Sequence, residues 1–122
     1  MGLYQYAFAF EPDEVELPNT LKLKSPFQYP FAEWGKHTQL YKWMRSLYEL
    51  KGGNGEFNGD FLNLTEADLQ ALEKATDDLN FYQQYKANEY WVKRHQEEDK
   101  NFIQDALSLI EQGCVIFYYA SS

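Results

Sequence analysis

A chain of 122 residues has the length of one ordinary domain, long enough to bury a hydrophobic core. Its net charge of −8 disfavours direct binding to the phosphates of nucleic acids or to anionic membrane surfaces, because like charges repel. No apolar run approaches the roughly 20 residues that span a bilayer. Cys114 is the only cysteine, so no internal disulfide can form, and without an apolar leader we expect a cytoplasmic protein.

Both ends of the chain have the pattern of β-strands. Aromatic residues alternate at Tyr4, Tyr6, Phe8 and Phe10, which places four rings on one face of a strand. The segment 115–119 is β-branched and aromatic, and this composition also favours a strand. We expect the two strands to take part in one sheet and the helices between them to cover it.

One helix is predicted in the first half of the chain. Residues 21–24 alternate and are compatible with a short edge strand, whereas two prolines make 25–30 an extended loop. The helix is expected from about Ala32 to Leu50, because large side chains recur at spacings of three and four. Glycines end this helix, and a loop follows to Asp60. The stripe consists of Trp34, His37, Leu40, Tyr41, Met44, Leu47 and Tyr48.

Two further helices are predicted in the second half. Thr65 is the expected N-cap of the first, with Leu64 and Leu69 as a hydrophobic staple and acidic residues in the first turn. The aromatic segment 80–94 has no clear period and is compatible with either a loop or a helix. The last helix is expected from about Glu97 to Gln112, ended by glycine 113. The residues of this last helix that would face inward are Phe102, Ile103, Ala106, Leu107 and Ile110. On the helix that follows Thr65, they would be Leu69, Leu72 and Leu79.

The residue types that carry most enzyme chemistry are sparse in this chain. His37 is expected to be a hydrogen-bonded core or boundary residue, and His95 is expected to lie in solvent. Glu33 and His37 could reach one metal ion from adjacent helical turns, but two ligands are too few. Cys114 has the position of a buried small hydrophobic residue. We therefore expect no catalytic residue, no metal site and no cofactor.

Acidic side chains and one tryptophan are the candidate interaction residues. If the acids of two helices face the same way, they form a negative patch that imitates a phosphate track or docks on a basic surface. The alternative is a solvated outer face on each helix. Trp43 lies beside Lys42 and Arg45 and is a candidate interface anchor, unless a second layer of the fold covers it. The acids are Glu66, Asp68, Glu73, Asp77 and Asp78 on one helix, and Glu97, Glu98, Asp99, Asp105 and Glu111 on the other.

The order of short motifs resembles a family of small, uncharacterised proteins of tailed phages and prophages. Members tend to have an aromatic strand after Met-Gly, a Trp-x-Lys element with a further Trp, a Leu-Thr-x-x-Asp-Leu helix start, and a last helix, glycine and strand that close on Ser-Ser. The family usually has arginine where this chain has Gly35. The matching residues are Met1-Gly2-Leu3-Tyr4, Trp34-Gly35-Lys36-His37, Trp43, and the segments 64–69 and 113–122.

This resemblance implies a phage or prophage accessory protein in the cytoplasm of a bacterial host, and it assigns no functional residue. Some members are labelled phosphoglycerate kinase, but this chain lacks the size and the nucleotide loops of such a kinase. We expect a single α+β domain over 1–122, with about three helices on a small antiparallel sheet that includes both terminal strands.

The expected function is non-enzymatic binding and inhibition of a host or defence protein through acidic and aromatic surface. An inhibitor of a nucleic-acid-binding defence enzyme is its sharpest form. One alternative is a small-ligand binder or small enzyme with an aromatic pocket wall at 81–91. Another is a virion assembly protein, which would form homo-oligomers.

Overall fold

The chain folds as three helices on one antiparallel sheet within the residues that this computed structural model describes, which are 3–12, 30–35, 37–53, 57, 60–78, 80–82 and 89–121. The order of the four strands across the sheet is β2-β1-β4-β3, so the two terminal strands are central neighbours. This arrangement confirms the expected α+β fold. The strands are β1 (Tyr4–Phe10), β2 (Ala32–Trp34), β3 (Asp60–Leu64) and β4 (Val115–Ser121), and the helices are α1 (Thr38–Leu50), α2 (Glu66–Asp77) and α3 (Glu89–Glu111).

The pairing of β1 with β4 decides which side of the sheet the helices cover. Directly opposed residues share a face, so the pairs Tyr6–Tyr119 and Phe8–Phe117 put the predicted aromatic alternation on one face. The other face carries Ala7 opposite Tyr118, and both belong to the hydrophobic core. The helices therefore cover the face opposite to the alternating aromatic residues.

The start of α1 differs from the sequence-based expectation. Residues 32–34 form β2, which pairs with β1 through Gln5–Trp34 and Ala7–Ala32, and the helix begins only at Thr38. The prediction of a helix from Ala32 is wrong over these first residues. Trp34 fits a helical stripe by spacing, but strand pairing and contacts with distant residues determine its conformation.

One strand and one helix boundary also differ from the prediction. No strand is predicted at 60–64, where β3 begins at Asp60 and pairs with β4. The last helix begins at Glu89, eight residues before Glu97, because Val92 and His95 extend its inward face through a strongly charged segment. The segment 80–94 therefore contains a short turn at 80–82 and the first turns of α3.

Local signals for the other helix ends are confirmed. Thr65 accepts a hydrogen bond from the backbone of Asp68, and the Asp68 side chain accepts one from the backbone of Thr65, which completes a capping box. Gly113 follows α3 with φ of +94°, a conformation that glycine adopts without strain. The predictions at 21–24 and 25–29 and that for Leu79 lie outside the described residues.

In the described part of the chain, none of the helices combines the length and the apolar character that crossing a membrane requires.

Candidate functional site

The carboxyl group of Asp99 lies at the centre of a buried hydrogen-bond network. Trp34 donates its indole N–H to Oδ1 at 3.1 Å, and the Tyr82 hydroxyl donates to Oδ2 at 2.7 Å. Nε2 of His37 lies 2.7 Å from the same Oδ2. Asp99 and His37 have no exposed surface. A buried carboxyl group is costly unless it is hydrogen-bonded, and three partners meet that requirement here.

These contacts join four segments that are distant in sequence. Trp34 ends β2, His37 precedes α1, Tyr82 lies in the turn before α3, and Asp99 lies within α3. The network therefore fixes the positions of α1 and α3 against the sheet.

A second set of hydrogen bonds extends this polar layer to the central strands. The buried side chain of Gln5 on β1 donates to the carbonyl oxygens of Gly35 at 3.0 Å and His37 at 3.1 Å. Its Oε1 accepts a hydrogen bond from the hydroxyl of Tyr118 on β4. Burial raises the pKa of Tyr118 strongly, with smaller contributions from Tyr41 and Asp99.

Three rings, which we call the ring stack, lead from the surface to Asp99. Trp91 is 44% exposed, and its ring lies 6.0 Å from that of His95 at an interplanar angle of 29°. The ring of His95 lies 4.4 Å from that of the fully buried His37, at 22°. Burial, with the neighbouring His37 as a further cause, lowers the pKa of His95 to about 4. The expectation that His95 lies in solvent is therefore wrong.

The Asp99 network has the bonding pattern of an oriented imidazole but not the access that catalysis needs. A carboxyl group bound to one imidazole nitrogen can orient a general base, which must then come within hydrogen-bond distance of a substrate. Tyr82, like His37 and Asp99, is completely buried. The arrangement as it stands joins segments of the fold, and the expectation that His37 is a hydrogen-bonded core or boundary residue is confirmed, in the core form.

The position of Asp99 differs from the sequence-based prediction. It is predicted among the acids of a possible outer face on the last helix, whereas the structure buries it. Its spacing to Phe102, Ile103 and Ala106 is that of one helical face, and this signal could have identified it.

The acids predicted on α2 divide into exposed and structural groups. Glu66, Glu73, Asp77 and Asp78 are exposed. Asp68 instead belongs to the capping box and forms an ion pair with Lys51. Burial raises the pKa of Asp68, but the hydrogen bonds from Lys51 and the Thr65 backbone outweigh it, so the net change is downward.

An ion pair between Asp77 and Lys100 shows which sides of α2 and α3 are adjacent. On α2, helical spacing places Glu66 and Glu73 in the same row as Asp77. On α3, the row of Lys100 also carries the exposed Glu97 and Glu111. We call this set the acidic junction: Glu66, Glu73, Asp77, Glu97 and Glu111, with Lys100 among them.

The predicted aromatic anchor and pocket wall have different positions. Trp43 is half-buried and packs against the hydrophobic core. Phe81 and Tyr82 are core residues, whereas Tyr90 and Trp91 lie on the surface. The described part of 81–91 thus divides between the core and the surface.

The described residues contain no group of three or more His, Cys, Asp or Glu side chains that could hold a metal ion. The suggested pair of metal ligands is separated, since Glu33 is exposed on β2 and His37 is buried before α1. No protein-family model, curated protein or solved structure matches this chain.

Proposed function

We propose that this protein is a phage or prophage accessory protein that binds a basic surface of a host or defence protein through the acidic junction. The observation that carries the proposal is the exposure of acids along the adjacent sides of α2 and α3. Glu66, Glu73, Glu97 and Glu111 form no ion pair with a cation among the described residues, so their charge is available to a partner. Exposed charges of one sign accelerate association with a surface of the opposite sign.

The buried network supports a binding role over a catalytic one. Its ionisable groups are bonded to one another and have no exposed surface, so they stabilise the fold rather than meet a substrate. A basic surface that binds nucleic acid is the natural counterpart of such a row of carboxylates. Inhibition of a nucleic-acid-binding defence enzyme is the corresponding form of the proposal.

Charge reversal in the acidic junction tests the proposal. The variant E66K/E73K/E97K places three lysines in the junction, and the control E11K/E33K/D105K reverses three exposed acids elsewhere. Both variants have the same net charge, so only the location of the change differs. Each protein is immobilised and exposed to bacterial lysate at low and at moderate salt, and captured proteins are identified by mass spectrometry.

We expect the native protein and the control variant to capture one basic protein in stoichiometric amount, released as salt rises. The junction variant should lose most of it. Equal capture by both variants would contradict binding through the junction. Absence of any partner at either salt concentration would reject the binding function and favour the alternatives of a small ligand or self-assembly.

A further inference from the structure

The ring stack attaches the first turns of α3 to the start of α1. Its two imidazole rings lie 4.4 Å apart and are nearly parallel, so they are in close contact. Elsewhere in these turns, Val92 packs against the core and Gln96 donates a hydrogen bond to the carbonyl oxygen of Thr76 at 2.9 Å. The stack is therefore one of the contacts through which residues 89–96 attach to the described part of the fold.

The groups around His95 make a positive charge there unfavourable. His37 faces it from the start of α1, and the Tyr82 ring stacks on His37 at 5.9 Å from the turn before α3. Within α3, Arg94 is the adjacent residue, and its guanidinium lies over the Trp91 ring at 5.6 Å. Asp99 attracts a positive charge on His95 and so opposes this effect, but burial and the neighbouring His37 outweigh it.

We propose that the ring stack is an acid-sensitive latch, in which protonation of His95 separates it from His37 and releases Trp91 and residues 89–96. A charged imidazole favours water over a half-buried position against another ring. The remainder of α3 stays in place, because Phe102, Ile103 and Ala106 anchor it in the core. The lowered pKa of His95 agrees with this geometry and keeps the latch closed at neutral pH.

A titration by NMR from pH 7.5 to 3.5 tests the latch. The signals are the Cε1–H of His95, the indole N–H of Trp91 and the backbone amides of α3, β1 and β4. Because release returns the imidazole to water, we expect His95 and Trp91 to change with a shared midpoint above the pKa of about 4 that His95 has in the closed stack and below its ordinary 6.5. The amides of 89–96 should lose their helical shifts at that midpoint. The amides of β1 and β4 should keep their native shifts through that midpoint.

Carboxyl groups titrate in the same pH range as the expected transition. Variants are therefore needed to show whether the transition comes from the His95 imidazole or from a carboxyl group. His95→Phe keeps an aromatic ring in the stack without a titratable proton, and Trp91 should then show no transition. Glu98→Gln removes the carboxyl group that pairs with Arg94, and the transition should persist. If His95→Phe does not fold, His95→Leu serves the same purpose.

Three results would overturn the proposal. One is a Trp91 transition in His95→Phe or His95→Leu with the same midpoint as in the native protein. Another is a His95 midpoint near the usual 6.5 with no change at Trp91. The third is simultaneous loss of the β1 and β4 signals, which would mean unfolding of the whole domain rather than release of one segment.

Discussion

Asp99 illustrates how one side chain can determine the arrangement of several segments. Its two oxygens contact the indole of Trp34, the hydroxyl of Tyr82 and the imidazole of His37, all of which are buried. Removing the carboxyl group would take away the acceptor that these buried groups share, which costs more than the loss of one exposed hydrogen bond. The free energy of unfolding should therefore depend on Asp99 more than on other acids of α3.

We predict that Asp99→Ala lowers the free energy of unfolding by about 3 kcal/mol or more, as measured by urea denaturation followed by circular dichroism. Asp99→Asn should lose less, because its carbonyl oxygen retains one acceptor. Asp105→Ala, an exposed change on the same helix, should stay within about 0.5 kcal/mol of the native protein. A loss below about 1 kcal/mol in Asp99→Ala would mean that water or neighbouring groups replace the carboxyl group.

At the scale of elements, α2 shows what a local signal can specify. Reciprocal hydrogen bonds between Thr65 and Asp68 hold its first turn. The two residues are three positions apart, so the motif can be recognised from the sequence. We predict that Thr65→Ala lowers the free energy of unfolding by about 1 kcal/mol, because the amide of Asp68 loses its acceptor. Thr65→Ser keeps the hydroxyl, so its free energy of unfolding should remain close to that of the native protein. Urea denaturation of both variants measures the difference. A Thr65→Ser loss equal to that of Thr65→Ala would assign the effect to the methyl group instead.

The elements that sequence reasoning missed depend on contacts between distant residues. Trp34 and His37 are spaced as on one helical face, yet Trp34 lies in β2 and His37 directly precedes α1. Both contact the carboxyl group of Asp99. Strand β3 consists of five residues beside a glycine-rich segment, and its pairing with β4 spans more than 50 positions. Local periodicity therefore predicted α2, the end of α3 and the terminal strands, but not the start of α1 or the Asp99 network. The acids named on α2 are exposed except Asp68, which belongs to the capping box and pairs with Lys51.

At the scale of the whole molecule, buried titratable groups should limit stability at both ends of the pH range. The folded state holds His95 neutral, with a pKa of about 4 against an ordinary value of 6.5, so the unfolded chain binds more protons between these values. Stability should consequently fall as pH decreases from 6.5 to 4. Asp68, whose folded pKa is lowered, adds a loss at still lower pH, because its interaction with Lys51 disappears on protonation.

At alkaline pH, stability falls as pH rises, and Tyr118 is the cause. Burial raises the pKa of Tyr118 above its ordinary value of 10.0, so the folded state keeps a proton that the unfolded chain loses above pH 10. We predict a melting temperature that is nearly constant between about pH 6.5 and 10 and falls on either side. His95→Phe should flatten the acid side between pH 6.5 and 4, and Tyr118→Phe should flatten the alkaline side. An unchanged acid slope in His95→Phe would assign that slope to carboxyl groups, and the imidazole of His95 would then contribute nothing to the pH dependence of the fold.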